Sequence, residues 1–161
     1  MSTMGNVDFN QAMDARLVTD DYAKLLAKVK WLGSRIRFGC DTHAQIAAVE
    51  RAMELINSYG YKGEYFLYTM LNSDFEESYF RIEYWKKRNW EIRHEHHGRN
   101  AMYPYAQPYR DPDDPHKSPP QWQKDMAQWV NKKMIFEATD FKDFRPRKNF
   151  VCASYFAASK R

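Results

Sequence analysis

The densest group of side chains that could do chemistry is a run of three histidines and a glutamate: His94, Glu95, His96 and His97. Imidazoles and a carboxylate at this density can bind zinc or nickel, and binding would weaken at low pH because the ligands must be deprotonated. The spacing is not diagnostic, since a helix places residues four apart on one side whereas a strand places His94 and His96 on one face. We predict an exposed connection without a metal, with a zinc or nickel site formed by this run, with His116 further along the chain, as the alternative.

The two cysteines limit the redox and metal chemistry that this chain can do. Cys40 and Cys152 allow at most one disulfide, and they cannot build a cysteine-rich zinc site or a complete iron–sulfur ligand set. Cys40 ends an alternating apolar stretch, and no histidine is fixed near it by the sequence, so we predict a small buried residue rather than a nucleophile. The sequence contains no P-loop, serine-hydrolase elbow or EF-hand loop.

Charge and hydropathy narrow the classes of partner. The net charge of +4 is spread over many side chains, which permits an anionic ligand but argues against a nucleic-acid partner, because such proteins concentrate charge more strongly. No apolar run approaches the roughly 18 to 20 residues of a membrane span, and the start lacks a signal-peptide pattern, so we expect a cytoplasmic protein with no membrane partner. Most aromatic residues fall on helical stripes typical of a core.

The hydrophobic pattern around these residues alternates between strands and helices over 161 residues, the size of one domain. Four strands are predicted, at 7–11, 35–40, 64–71 and 102–109. Helices are predicted to begin at four capping residues, Thr19, Thr42, Ser73 and Ser118. The first helix presents one apolar stripe, formed by Tyr22, Leu25, Leu26 and Val29. A last helix and an aromatic tail occupy 118–161.

Strands that alternate with helices indicate a parallel sheet with outer helices. The first strand–helix units begin about 28 and 29 residues apart, the period of a βαβ unit. The third strand, EYFLYTML, is typical of a strand covered on both faces. Four strands cannot close a barrel, so we predict an α/β fold that is half of a TIM-like barrel, with two bare edges and an open interior that a second chain, a homodimer or the tail must cover.

A resemblance to a known family rests on three strings: VDFNQAMDARLVTDDYAKLLAKVKWLGSRIRFGCDT, YFLYTMLNSDFEESYFRIEYWKK and YPYAQPYRDP. Over about 7–112 they resemble the carboxy-terminal half of a radical S-adenosylmethionine enzyme barrel. The resemblance implies that S-adenosylmethionine binds at one rim, beside a four-iron four-sulfur cluster whose electron cleaves it. The family's CxxxCxxC cluster motif is absent here, and Ala12 replaces the usual glycine of the NQG turn. A cluster would therefore have to come from a missing half.

The resemblance also implies site residues at matching positions. The expected cofactor-binding residues are Asn10, Gln11, Asp14, Arg16, Arg37, Asp41 and Tyr68. The expected substrate-binding residues are Gln107 and Arg110. A carboxylate can accept from ribose hydroxyls or an amino group, and a guanidinium can form paired hydrogen bonds with a carboxylate. The plainer interpretation makes Asp14 and Arg16 an ordinary rim ion pair and lets Gln107 and Arg110 hold the following loop.

Two functions remain as hypotheses from the sequence. The first is the S-adenosylmethionine-binding part of a radical enzyme, completed by a cluster-bearing half and inactive alone. The alternative is a non-catalytic half-barrel that binds or assembles as a homodimer. Binding of S-adenosylmethionine would distinguish the first function from the second. A third hypothesis is a nucleic-acid-binding protein, whose affinity would fall steeply as the salt concentration rises.

Overall fold

A three-stranded parallel sheet forms the centre of the computed structural model, which describes residues 6–72, 74–95, 97 and 99–159. The strands, in their spatial order, are β1 (Arg35–Gly39), β2 (Glu64–Leu71) and β3 (Met102–Pro108). The α-helices are α1 (Asp20–Lys28), α2 (Ile46–Ser58), α3 (Phe75–Glu95), α4 (Gln121–Val130), α5 (Lys133–Ala138) and α6 (Ala153–Ala158). The α/β architecture with parallel strands and helices is confirmed, but the described residues form three strands and not four.

The prediction of a strand at 7–11 is wrong, because the segment from Val7 to Met13 pairs with the segment around β1 only at two isolated bridges. Val7 bridges Trp31 and Met13 bridges Phe38, both in the parallel sense. A tight turn with Gly33 at φ 64° breaks the extended path between Trp31 and β1, so the two segments cannot keep one register. The residues from Asn6 to Ala12 are exposed.

Local capping signals set the starts of the first two helices as predicted. The Thr19 side chain accepts a hydrogen bond from the backbone N–H of Tyr22 at 3.3 Å and begins α1. Thr42 and Gln45 form the predicted capping box, which opens a short 3-10 turn that leads into α2. The predicted stripe on α1 is partly wrong, because Tyr22 is 60% and Leu25 is 62% exposed.

The last two long helices differ from prediction at their ends. The predicted cap Ser73 lies outside the described residues, and the Asp74 carboxylate instead accepts from the backbone N–H of Glu77 at 3.1 Å. The helix α3 runs to Glu95 and so includes the start of the histidine-rich run. The helix α4 begins at Gln121 because two successive prolines keep the preceding residues out of the helical conformation, so Ser118 does not cap it.

Only one face of the sheet is packed by helices. Along β2, Tyr65, Leu67, Thr69 and Leu71 are buried on one side, whereas the residues between them are less buried. The buried side packs against α2, α3 and α4 in two aromatic-rich clusters. The prediction that β2 is covered on both faces is therefore wrong for the described chain.

The tail packs on the helix side of the sheet, where three of its phenylalanines are buried. Phe136, Phe141 and Phe144 are buried with Leu71 and Trp129 in one cluster. Within the described residues the tail therefore adds to the helix layer and leaves most of the other sheet face open. A three-stranded parallel sheet with one uncovered face results.

The outer edge of β3 is closed, contrary to the prediction of two bare edges. Four residues alternate along this edge, with their peptide groups pointing away from β2: Met102, Pro104, Ala106 and Pro108. The prolines have no N–H, and the Met102 N–H donates to the Asn89 side chain at 3.1 Å. Asn131 accepts from the N–H of Ala106 and donates to its carbonyl, both at 2.9 Å. This edge thus offers no backbone N–H to a further strand.

Candidate functional site

The uncovered sheet face is the first part of the candidate site. It carries the residues that alternate with the buried ones along each strand. These are Arg35, Arg37 and Gly39 on β1, Glu64, Phe66, Tyr68 and Met70 on β2, and Tyr103, Tyr105 and Gln107 on β3. We call this set the open face. The register pairs Phe66 with Tyr103 and Met70 with Gln107 across it. Parallel sheets are ordinarily covered on both faces, so an open face indicates a surface for a ligand or a partner.

Three aromatic rings form the centre of the open face. The ring centroids of Phe66, Tyr68 and Tyr105 lie 5.3, 5.6 and 5.7 Å from one another. The Tyr68 hydroxyl has no hydrogen-bond partner among the residues that the structure describes, which leaves it available to a ligand. The planes of Phe66 and Tyr105 lie 30° apart and offer an apolar platform on which a planar ring could stack, with the Tyr68 ring edge-on beside them.

Arg37 is on β1 as predicted, but its guanidinium already has partners. It forms an ion pair with Asp8 and donates to the backbone carbonyl of Phe9 at 3.2 Å. The contact ties the exposed amino-terminal segment to the edge of β1 where backbone pairing is lost. Arg37 therefore positions this segment, and Asn10 and Gln11 lie exposed within it.

Asp14 and Arg16 form a local ion pair at the end of the same segment. The Arg16 Nε and Nη2 atoms donate to the two carboxylate oxygens of Asp14 at 2.9 and 2.6 Å. The Arg16 guanidinium lowers the pKa of the Asp14 carboxyl through this hydrogen bond. The geometry is that of the predicted rim ion pair, and both side chains reach solvent. Neither is locked, so a ligand could replace either contact at small cost.

Asp41 forms hydrogen bonds through one carboxylate oxygen and through its own backbone groups. Its carboxylate accepts from the backbone N–H of Met70 at 2.7 Å, and its own carbonyl accepts from Arg81 at 2.6 Å. These bonds join the carboxyl ends of β1 and β2. Asp41 therefore shapes the rim through one carboxylate oxygen and its backbone carbonyl.

Sequence reasoning missed the residue that holds this rim together. Arg81 on α3 is fully buried and donates to both carboxylate oxygens of Glu77 at 2.7 and 2.6 Å. It also donates to the backbone carbonyls of Asp41 and Met70. The spacing of four residues between Glu77 and Arg81 is a helical ion-pair signal in the sequence, but it does not indicate burial.

The second part of the candidate site is a cleft of about 680 Å³ at the carboxyl ends of β2 and β3. Its lining includes Met70, Gln107, Arg110, Ser118, Pro119 and Lys124. The structure thus brings the two predicted substrate-binding residues, Gln107 and Arg110, to one cleft. Met70 and Gln107 also belong to the open face, so the two parts of the site are continuous. Lys124, which sequence reasoning missed, comes from α4.

Comparison with known proteins does not assign this site. No family model matches the chain, and no curated protein or solved structure does. The functional interpretation therefore depends on the residues and their geometry alone.

The first two residues of the histidine-rich run, His94 and Glu95, are the last two residues of α3. His94 lies on the helix, where its ring packs 4.0 Å from Trp90 and its Nδ1 lies 2.7 Å from the Trp90 carbonyl oxygen. No three His, Cys, Asp or Glu side chains are grouped to hold a metal ion in the part of the chain that the structure describes. His96 lies outside that part, so the prediction for the complete run stays a prediction.

Both cysteines are buried, as predicted for Cys40. Burial raises the pKa of the Cys40 thiol to about 11 and that of Cys152 to about 12. A thiol with so high a pKa is protonated at neutral pH and is a poor nucleophile.

Among the described helices, none is both long and apolar enough to cross a membrane.

Proposed function

We propose that this chain is the S-adenosylmethionine-binding half of a radical enzyme, and that a separate polypeptide supplies the cluster-bearing half. The observation that carries the proposal is the open face, a parallel half-barrel surface that continues into a polar rim at the carboxyl ends of the strands. Ligands of α/β folds bind at that end of a parallel sheet. The resemblance of the sequence to radical S-adenosylmethionine enzymes supplies the identity of the ligand.

The chain's own residues do not fit an iron–sulfur cluster. The only two thiols are buried on the helix side of the fold and lie in different hydrophobic clusters. The proposed role of this chain is therefore to bind and orient the cofactor. Bound S-adenosylmethionine would supply the bond that a cluster in the other half cleaves.

Three groups are proposed to hold the cofactor. The adenine ring would stack on the triangle of Phe66, Tyr68 and Tyr105, because an aromatic face can stack on a base without base-specific hydrogen bonds. Asp14 would accept from ribose hydroxyls or the amino group, and Arg16 would donate a pair of hydrogen bonds to the methionine carboxylate. Their mutual ion pair is exposed, so opening it costs little.

The direction from which the second polypeptide approaches follows from the two edges. The β3 edge is closed by prolines and asparagine side chains, whereas the segment from Val7 to Met13 is exposed and paired at only two bridges. A completing half would therefore join along this segment and cover the open face from the β1 side.

Titration of the full chain with S-adenosylmethionine tests the proposal. By isothermal calorimetry we expect a dissociation constant on the order of tens of micromolar. Asp14→Ala and Arg16→Ala should each weaken binding roughly tenfold, because each removes a charged hydrogen bond to the ligand. Arg51→Ala on the outer side of α2 is the matched control and should bind normally. Absence of heat at millimolar ligand would contradict the proposal.

The open face also favours the second candidate, a non-catalytic homodimer. Tyr105 is 39% exposed at the centre of this face and Met70 is 36% exposed at its carboxyl end, which is more apolar surface than a finished parallel sheet leaves uncovered. If this function is correct, light scattering should show a dimer that dissociates on dilution and that Tyr105→Glu abolishes. A monomer at every concentration would exclude it.

A further inference from the structure

The cleft at the carboxyl ends of β2 and β3 combines two cationic side chains from separate elements. Arg110 follows β3, and Lys124 comes from the second turn of α4. The Lys124 ammonium donates to the Ser118 hydroxyl at 2.8 Å, which holds it at the wall of the cleft. Gln107 adds an exposed amide from the end of the open face.

No carboxylate balances these charges within the cleft. Its lining contains no Asp or Glu, and Arg110 forms no ion pair with any residue that the structure describes. The nearest acid along the chain, Asp111, accepts from the backbone N–H of Asp113 at 3.0 Å and is engaged in its own turn. Two positive charges that share a cleft repel each other, so an anion between them would be stabilised by both.

The start of α4 adds to the same positive potential. This helix has ten residues, its first residue follows Pro120, and no side chain caps it. Its first N–H groups and its dipole therefore favour negative charge close to Pro119, which lines the cleft. The helix terminus thus adds to the attraction for an anion that comes mainly from the Arg110 and Lys124 side chains.

We propose that this cleft binds the phosphate group of a ligand. The Arg110 guanidinium would donate two hydrogen bonds to phosphate oxygens, and the Lys124 ammonium would supply the second positive charge, which matches a dianion. Gln107 would donate from its amide on the side of the open face. The site goes beyond the proposed binding of S-adenosylmethionine, because it uses none of the residues assigned to that cofactor.

Titration of the full chain with inorganic phosphate, followed by NMR at constant ionic strength, tests this site. We expect a dissociation constant of about 1 mM, with the largest shifts for the amides that begin α4. Arg110→Gln and Lys124→Gln should each raise this constant roughly tenfold, since each removes a charged hydrogen bond. The matched controls are Arg51→Gln on α2 and Lys62→Gln at the opposite end of the sheet, and both should leave the affinity unchanged.

Three results would overturn the proposal. Phosphate shifts that persist in Arg110→Gln would place the anion elsewhere, and equal losses in the two controls would indicate diffuse attraction to a basic protein. Acetate that binds as tightly as phosphate would assign a single carboxylate instead of a dianion. The result is separate from cofactor binding, because the Asp14 and Arg16 variants leave this cleft intact.

Discussion

Replacing Arg81 with methionine is expected to lower the free energy of unfolding by about 3–5 kcal/mol. The arginine is fully buried, and its guanidinium binds Glu77 and the carbonyls of Asp41 and Met70. Methionine fills much of the same volume, so the loss comes chiefly from the two carbonyls that remain without their donor and from Glu77, which keeps only its neutral donors on His43 and Asn72. Urea unfolding followed by circular dichroism measures the change.

The matched control for this variant is Arg93→Met on the same helix. Arg93 pairs with Glu137, but the two side chains are 42% and 30% exposed, so the expected loss is below about 1 kcal/mol. If the two variants lose equal stability, the buried contacts of Arg81 do not hold the ends of β1 and β2 together. If Arg81→Met also loses cofactor or phosphate binding, that loss would be a secondary effect of the disturbed rim.

Much of the fold was predictable because its signals are local. The Thr19 cap and the box of Thr42 and Gln45 lie within three or four residues of the groups that they satisfy, and both are confirmed. The prediction of a strand at 7–11 was wrong because the pairing of this segment depends on the path of the chain through Gly33, which is a tertiary property. Its alternation of apolar and polar residues fits an exposed segment equally well.

The two faces of β2 show why burial could not be predicted from hydropathy. The run EYFLYTML is apolar on both sides, yet only the side of Tyr65 and Leu67 is covered by helices. The other side carries Phe66 and Tyr68, whose rings pack on each other and on Tyr105. A sequence does not distinguish a face that its own helices cover from one that a ligand or partner covers.

The candidate site was predicted in part. Gln107 and Arg110 lie in one cleft because Gln107 is near the end of β3 and Arg110 comes just after it, so their proximity needs only the local chain. Lys124 was missed because its position depends on how α4 packs on β3. Asp41 was predicted as a ligand, but nonlocal bonds to Met70 and Arg81 give it a structural role.

Replacing Asp125 with alanine is expected to lower the free energy of unfolding by about 2–4 kcal/mol and to release the tail. The carboxylate is nearly fully buried and accepts from Arg147 at 2.6 Å and from the Tyr155 hydroxyl at 2.5 Å. These two bonds reach from α4 to the segments before and within α6, so their loss leaves the segment beyond Phe144 held chiefly by the packing of its aromatic side chains and Cys152. Limited proteolysis should then cleave beyond about Phe144.

The control for this release is Asp143→Ala, which removes an exposed carboxylate from the tail itself. Its stability should change by less than about 0.5 kcal/mol, and its cleavage pattern should match that of the unmodified chain. Tail cleavage in both variants would mean that Asp125 is not the anchor. Because the tail packs on the helix side, Asp125→Ala should still bind S-adenosylmethionine if the open face holds the cofactor. Loss of binding in that variant would instead place the cofactor against the tail.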